Sequence, residues 1–349
     1  METAAFDYDL PADRIAQRPL AERDAARLLV DGGPDRPPSH RHVRDLPALL
    51  EPGDLVVVNT TRVLPARLAM TRSTGGAAEV LLLEPADPQP AGGEDTIVWE
   101  ALVRPGRRLR PGTVLRSSRL VSLTVEVGED LGEGRRMVRI DTGGLALLDA
   151  LERAGEVPLP PYVRTAIDDP ERYQTVYADT PGSVAAPTAG LHLSPTVLEG
   201  LATRGVEVAP VELVVGLGTF RPITTSEVEQ HRMHAERYRV PAGTWAKVQQ
   251  APRVVAVGTT VVRALESAAA TGALEGRTGL YIHGDFEFRV VDRLLTNFHL
   301  PRSSLLVLID AFIGPRWRDL YEVALAEGYR FLSFGDAMLL TRGRRDRSR

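Results

Sequence analysis

The hydrophobic pattern of the chain has two textures. In the first, short unbroken apolar runs end in Gly, Thr or Asn and are followed by helical periodicity. Leu28–Val30 offers a short strand, and DGGPDRPPSH after it reads as an exposed loop. HVRDLPALLEPGDLVVVNTTRV gives a helix ending near Leu50, a Pro52-Gly53 turn and a buried strand over Leu55–Val58. After Leu68 the texture becomes β-rich. AAEVLLLEPA, TIVWEALVRPG, LVSLTVEVGED and RRMVRIDTGG are separated by PG, GG and the loose PADPQPAGGED. The first texture returns at GGLALLDALERAG, a helix closed by Gly155, followed by the extended VPLPPYVR.

Further on, Ser194, Pro195 and Gly205 mark a helix by N-cap, first position and stop. VEVAPVELVVGLGTF supplies strands, SEVEQHRMHAERYRVP predicts a helix, and VVAVGTTVVRALES reads strand, turn, helix. TNFHLP is expected between two strands, the second being LLVLIDAF. WRDLYEVALAEG is a helix and YRFLSF a final strand with Asp336 at its exit. This order predicts a discontinuous α/β domain over 1–64 and 146–349, interrupted by an all-β insert over 65–145.

The chain has 349 residues, 43% of them hydrophobic, and no cysteine. The missing thiols exclude cysteine nucleophiles, disulfides, and cysteine-held zinc or iron–sulfur sites. Lys247 is the single lysine, so Schiff-base chemistry has one candidate. No apolar run is long enough to span a membrane, and the start lacks a signal-peptide pattern, so a cytoplasmic location is expected. A net charge of -4 does not advertise nucleic-acid binding, which therefore requires a local patch. Arg104, Arg107, Arg108, Arg110, Arg116 and Arg119 form one, with no acidic residue between them; a solvated hairpin would read the same.

Candidate chemistry collects in loops of small residues. PGSVAAPTAGLH lets backbone approach a ligand closely and carries His192 into a helix N-terminus. Gly258, Thr259 and Thr260 join a buried strand to a helix, an anion-binding arrangement without the lysine of a nucleotide P-loop. Asn59, Thr60, Thr61 and Arg62 crowd another strand end. His231 and His234, three apart on the expected helix, permit joint metal ligation with Glu227 or Glu236, although a polar face is the plainer reading. Gly216 and Gly218 make only a weak dinucleotide signal.

PGSVAAPTAGLH, VGLGTF, HRMHAE, VAVGTTVVRALES, VVDRLLTNFHLP, YRFLSFGDAM, PLPPY and YQTVYA together resemble the S-adenosylmethionine:tRNA ribosyltransferase-isomerase family of queuosine biosynthesis, nearly end to end. The resemblance implies an α/β domain with a barrel-like mixed sheet and a small β-barrel insert. It implies transfer and isomerisation of the ribosyl part of S-adenosylmethionine onto 7-aminomethyl-7-deazaguanine at the tRNA wobble position, with loss of adenine and methionine. S-adenosylmethionine would be co-substrate and tRNA partner. No metal, prosthetic group or membrane is called for, and a monomer is expected.

By motif membership, His192 and His299 are expected in acid/base roles, with Asp336 and Glu236 as orienters. Asn59, Thr61, Arg62, Pro187, Thr188, Ala189, Gly190, Gly218, Thr219, His231, His234, Gly258, Thr259, Thr260, Arg263 and Asn297 are expected at substrate, and the six arginines at tRNA. Thr60, Leu193, Val214 and His283-Gly284-Asp285 depart from the family pattern. They leave open a different, small-molecule acceptor for the ribosyl group or a catalytically silent RNA-binding relative.

Overall fold

The computed structural model describes residues 1–86, 97–106, 109–132, 134–216 and 222–343. The chain divides into two compact units: Met1–Arg62 with Pro160–Thr180 and Ala186–Arg349, and Val63–Leu159 with Pro181–Ala185.

The larger unit is built on a nine-stranded mixed sheet. Its middle is parallel. Leu55–Asn59 lies between Glu207–Leu213 and Val254–Val257, and Val254–Val257 pairs in turn with Arg293–Asn297. Ala337–Thr341 then runs antiparallel to Arg293–Asn297 and parallel to Arg27–Val30, and antiparallel strands complete both edges. The runs LVVVN, VVAV and RLLTN are buried at every position, as a parallel sheet covered on both faces requires. Because the three strands run the same way, Asn59, Gly258 and Asn297 leave the sheet at the same end.

Helix Pro195–Thr203 starts as its sequence dictates. Ser194 Oγ accepts the Val197 N–H at 3.2 Å, and Gly205 follows the helix at φ +72°. Helix Thr259–Thr271 springs from Gly258, whose φ of +91° favours glycine. The core includes Leu28, Val56, Val257, Leu295 and Leu339, together with Ala189 and Leu193 from the small-residue loop.

The mixed sheet agrees with expectation, but its barrel-like character does not. Among the described residues no pairing closes it, and the closed ring belongs to the smaller unit. There, Arg67–Arg72, Ala77–Pro85, Ile97–Arg104, Arg135–Asp141, Thr124–Gly132 and Val114–Ser117 form an antiparallel barrel, closed by Met70 opposite Ser117. Burial alternates along its strands, the period-2 signature that marked the insert in sequence.

Three elements differ from the sequence reading. LLVLIDAF is helix, within Ser304–Ile313; Ser303 Oγ caps it at 3.2 Å, and burial of nearly every face hides its 3.6 period. The helix expected around His231 is a single turn, Val228–Gln230, followed by strand Glu236–Arg239. That strand's inward residues are Glu236 and Tyr238, so hydrophobicity alone conceals its alternation. The last strand is Ala337–Thr341, and YRFLSF is a loop whose Tyr329 and Phe331 pack on Phe298.

Candidate functional site

At the common end of the parallel strands lies a cleft enclosing about 600 Å³. The single-turn helix Thr188–His192, the Gly258–Thr260 turn and the segment from Thr296 to Leu300 meet there. Pro187, Thr188, Ala189, Gly258, Thr259, Thr260, Asn297 and His299 line it, and among the described residues its lining includes no Asp, Glu, Lys or Arg. Gly190 backs the wall: a Cβ there would stand 2.1 Å from Tyr177 Oη. The loop's small residues thus serve close packing as much as ligand approach.

Asn297 is the hub of the polar network. Thr188 Oγ1 donates to Asn297 Oδ1 at 3.0 Å, which turns Nδ2 toward His192 Nε2 at 2.9 Å and the Asp336 carbonyl at 3.4 Å. An amide N–H donating to Nε2 requires an unprotonated nitrogen, so the His192 proton sits on Nδ1. His192 does not line the large cleft. It stands behind Asn297 and faces a second pocket of about 290 Å³. Burial first, then the charges of Arg330 and Arg23, pull its pKa down to about 4.

His299 does line the cleft, and burial lowers its pKa to about 3. Its Nε2 pairs with Thr296 Oγ1 at 3.0 Å. Its main chain is pinned by two tyrosines: Tyr321 Oη accepts the His299 N–H at 2.9 Å, and Tyr8 Oη donates to the His299 carbonyl. Both imidazoles are neutral at pH 7.

Other expected site residues stand apart from the cleft. Asp336 spends its carboxylate on the main-chain N–H groups of Arg27 and Arg330, each at 2.8 Å, and burial raises its pKa. Glu236 and Arg263 are buried partners of each other; Glu236 also accepts the Gly216 N–H at 3.0 Å, and Arg263 donates to the carbonyls of Leu280 and Thr278. Asn59 crosslinks the sheet through Leu213 N–H and C=O and accepts the Thr61 N–H. Thr61 Oγ1 donates to Leu213 O, and Arg62 pairs with Glu171 at the surface.

His231 lies against the Tyr281 ring, and His234 shares no helical face with it. Among the described residues no three His, Asp or Glu side chains gather as a metal site. In the smaller unit, Arg104, Arg110, Arg116 and Arg119 are exposed, with Glu79 opposite Arg104 and Glu156 paired to Arg119. Gly218, Thr219, Arg107 and Arg108 lie outside the described residues.

The departures from the family pattern avoid the cleft lining. Leu193 is in the core, Thr60 Oγ1 donates to Val211 O at 3.3 Å, the Val214 N–H donates to Arg237 O at 2.9 Å, and the His283 ring lies 4.8 Å from that of Tyr281. Sequence reading missed Thr296, Tyr162, Ser303 and Ser333 in the lining. Thr296, Ser333 and Tyr162 lie inside the motifs VVDRLLTNFHLP, YRFLSFGDAM and PLPPY, which was an available signal; Tyr8 and Tyr321, far away in sequence, offered none.

The sheet, with a cleft of imidazole, amide and hydroxyl groups at the common end of its parallel strands, is the arrangement of an α/β enzyme. Residues 3–340 match the family model described as Queuosine biosynthesis protein, and the chain belongs to that family. The S-adenosylmethionine:tRNA ribosyltransferase-isomerase of Rubrobacter xylanophilus is 52% identical over 347 residues, covering 99% of each chain. The enzyme of that name from Synechococcus elongatus is 49% identical, with 96% of this chain and 95% of that one covered. The crystal structure of the S-adenosylmethionine tRNA ribosyltransferase from Thermotoga maritima, 35% identical, is similar with a TM-score of 0.54 over 96% of this chain and 99% of that one. No helix among the described residues is long and apolar enough to cross a membrane.

Proposed function

We propose that this chain transfers the ribosyl part of S-adenosylmethionine to 7-aminomethyl-7-deazaguanine at the wobble position of tRNA. The group is isomerised to the epoxycyclopentanediol, and adenine and methionine are released. The observation that carries the reading is a neutral histidine, His299, in the wall of a cleft whose lining, among the described residues, bears no fixed charge.

A sulfonium acidifies the adjacent 5′ C–H. When a neutral imidazole takes that proton, the electron pair stays on carbon, giving a sulfonium ylide with carbanion and positive sulfur side by side, and the imidazole becomes an imidazolium. Net charge is conserved, and the carbanion formed lies directly beside the positive sulfur, which offsets part of the cost that burial puts on the imidazolium. The imidazolium then holds the proton that departing adenine requires. His299 takes this part, while His192 acts through Asn297 as a positioning residue. Thr188 and the first turn of helix Thr259–Thr271 hold polar groups of the co-substrate. Arg110 and Arg116, exposed on the barrel and without an ion pair among the described residues, are suited to phosphate contacts. We further propose that the protein works as a cytoplasmic monomer, without metal or prosthetic group.

Ribose-labelled S-adenosylmethionine and tRNA bearing the deazaguanine precursor test the reading. Label should appear in a heavier nucleoside after digestion of the tRNA; label confined to small molecules would overturn it.

A further inference from the structure

The second pocket, on the far side of His192, is not accounted for by the chemistry above. Arg23 and Arg172 form its basic wall, and Leu191, His192 and Ser333 also line it; no carboxylate does among the described residues. Ser333 also lines the large cleft. The two cavities are therefore separated by little more than one layer of side chains.

The arginines here are partnered in an unusual way for a chain rich in ion pairs. Arg23 donates to the main-chain carbonyls of Leu191 at 3.1 Å and Glu171 at 2.9 Å. Arg172 donates to the carbonyls of Ala21 at 2.8 Å and Leu20 at 2.5 Å, and its Nε is buried with no acceptor. Arg330, close enough for its charge to act on His192, donates to Arg18 O and also buries one nitrogen, Nη1, without an acceptor. Every bond the structure gives these three guanidiniums ends on a neutral carbonyl. Among the described residues, none is within ion-pair distance of a carboxylate. Held by carbonyls, the side chains are ordered without a direct ion pair, although the charges of Asp169 and Glu171 reach Arg23 and that of Asp336 reaches Arg330. Burial first, then the neighbouring Arg172 charge, lower the pKa of Arg23, against the opposing pull of Asp169 and Glu171.

We propose that this pocket binds a backbone phosphodiester of the RNA whose base enters the large cleft. The inference rests on the function proposed above. An enzyme that modifies a base must draw that nucleotide out of its stack, and the flanking phosphates then need cationic anchors that fix the register without reading sequence. A solvent-open pocket with a two-arginine wall, one side-chain layer from the cleft, meets that need.

Arginine modification of the intact wild-type protein by phenylglyoxal, read by peptide mass spectrometry, tests the proposal. It is run with tRNA, with inorganic phosphate alone and without addition. Protection of Arg23 and Arg172 by tRNA but not by millimolar phosphate is the expected result. Equal labelling in all three arms would overturn it, and so would protection by phosphate alone, which would mark a small-anion site. In a salt titration of tRNA affinity, the R23Q/R172Q protein should bind about tenfold or more weakly, with a slope shallower by roughly two. An unchanged slope would count against the pocket. If that variant does not fold, the wild-type footprint still decides. Ribosyl transfer by wild-type protein without a footprint would overturn the pocket and leave the function standing; a footprint without transfer would do the reverse.

Discussion

Burial alone holds His299 near 3, whereas His192, near 4, also feels Arg330 and Arg23. Both pKa values lie below the ordinary 6.5, so the unfolded chain binds more protons than the folded one between those limits. Their contribution to stability is complete above pH 6.5 and is lost as pH falls toward 4 and 3. Near pH 5 the two histidines account for an uptake of roughly two protons on unfolding. His192→Gln and His299→Gln should each remove about one, seen as a flatter dependence of denaturant midpoint on pH; parallel curves for wild type and variants would contradict the assignment. On activity the two should separate. His299→Gln should lower kcat for adenine release by about a hundredfold or more, while His192→Gln, acting through Asn297, should cost less and act on kcat with little change in KM.

At this scale the sequence showed which loops matter but not what each polar group does. His299, Asn297 and Thr188 were legible because small residues and turns surround them. Asp336, Glu236, Asn59 and Arg263 looked equally chemical. They are occupied by main-chain amides, carbonyls and one another, partners that a one-dimensional pattern does not display.

Among the elements, helix Thr259–Thr271 joins the site to the frame. Its first turn opens into the cleft, and its fully buried Glu266 accepts the N–H groups of Arg289 at 2.8 Å, Val290 at 3.2 Å and Val291 at 3.0 Å. Glu266→Ala would strand the buried Val291 N–H and leave those of Arg289 and Val290 to solvent, and should destabilise the protein by about 1–3 kcal/mol, measured by denaturant unfolding; a loss below about 0.5 kcal/mol would show that the segment is held otherwise. Tyr321→Phe removes the acceptor of the His299 N–H and should lower stability by about 1–3 kcal/mol together with turnover. The strand-turn-helix unit at Gly258 was legible because a four-residue apolar run ends in glycine and gives way to a 3.6 period. The helix Ser304–Ile313 was not, since an apolar run buried on nearly every side carries no period. Ser303 before it was the one local cue.

For the whole molecule, the change of texture along the chain distinguished a mixed sheet from a closed antiparallel barrel, because a covered parallel strand and a half-buried one bury different fractions of their residues. Which strand closes on which was not legible, since register depends on partners distant in sequence. The barrel-like character expected of the larger sheet came from the family resemblance and not from the pattern. The central claim is coupled chemistry between S-adenosylmethionine and tRNA, and adenine and methionine release tests it most directly. The account predicts release in equal amounts with tRNA carrying the aminomethyl-deazaguanine base, and none with unmodified tRNA or without RNA. Release independent of that base, or no release with it, would contradict the account.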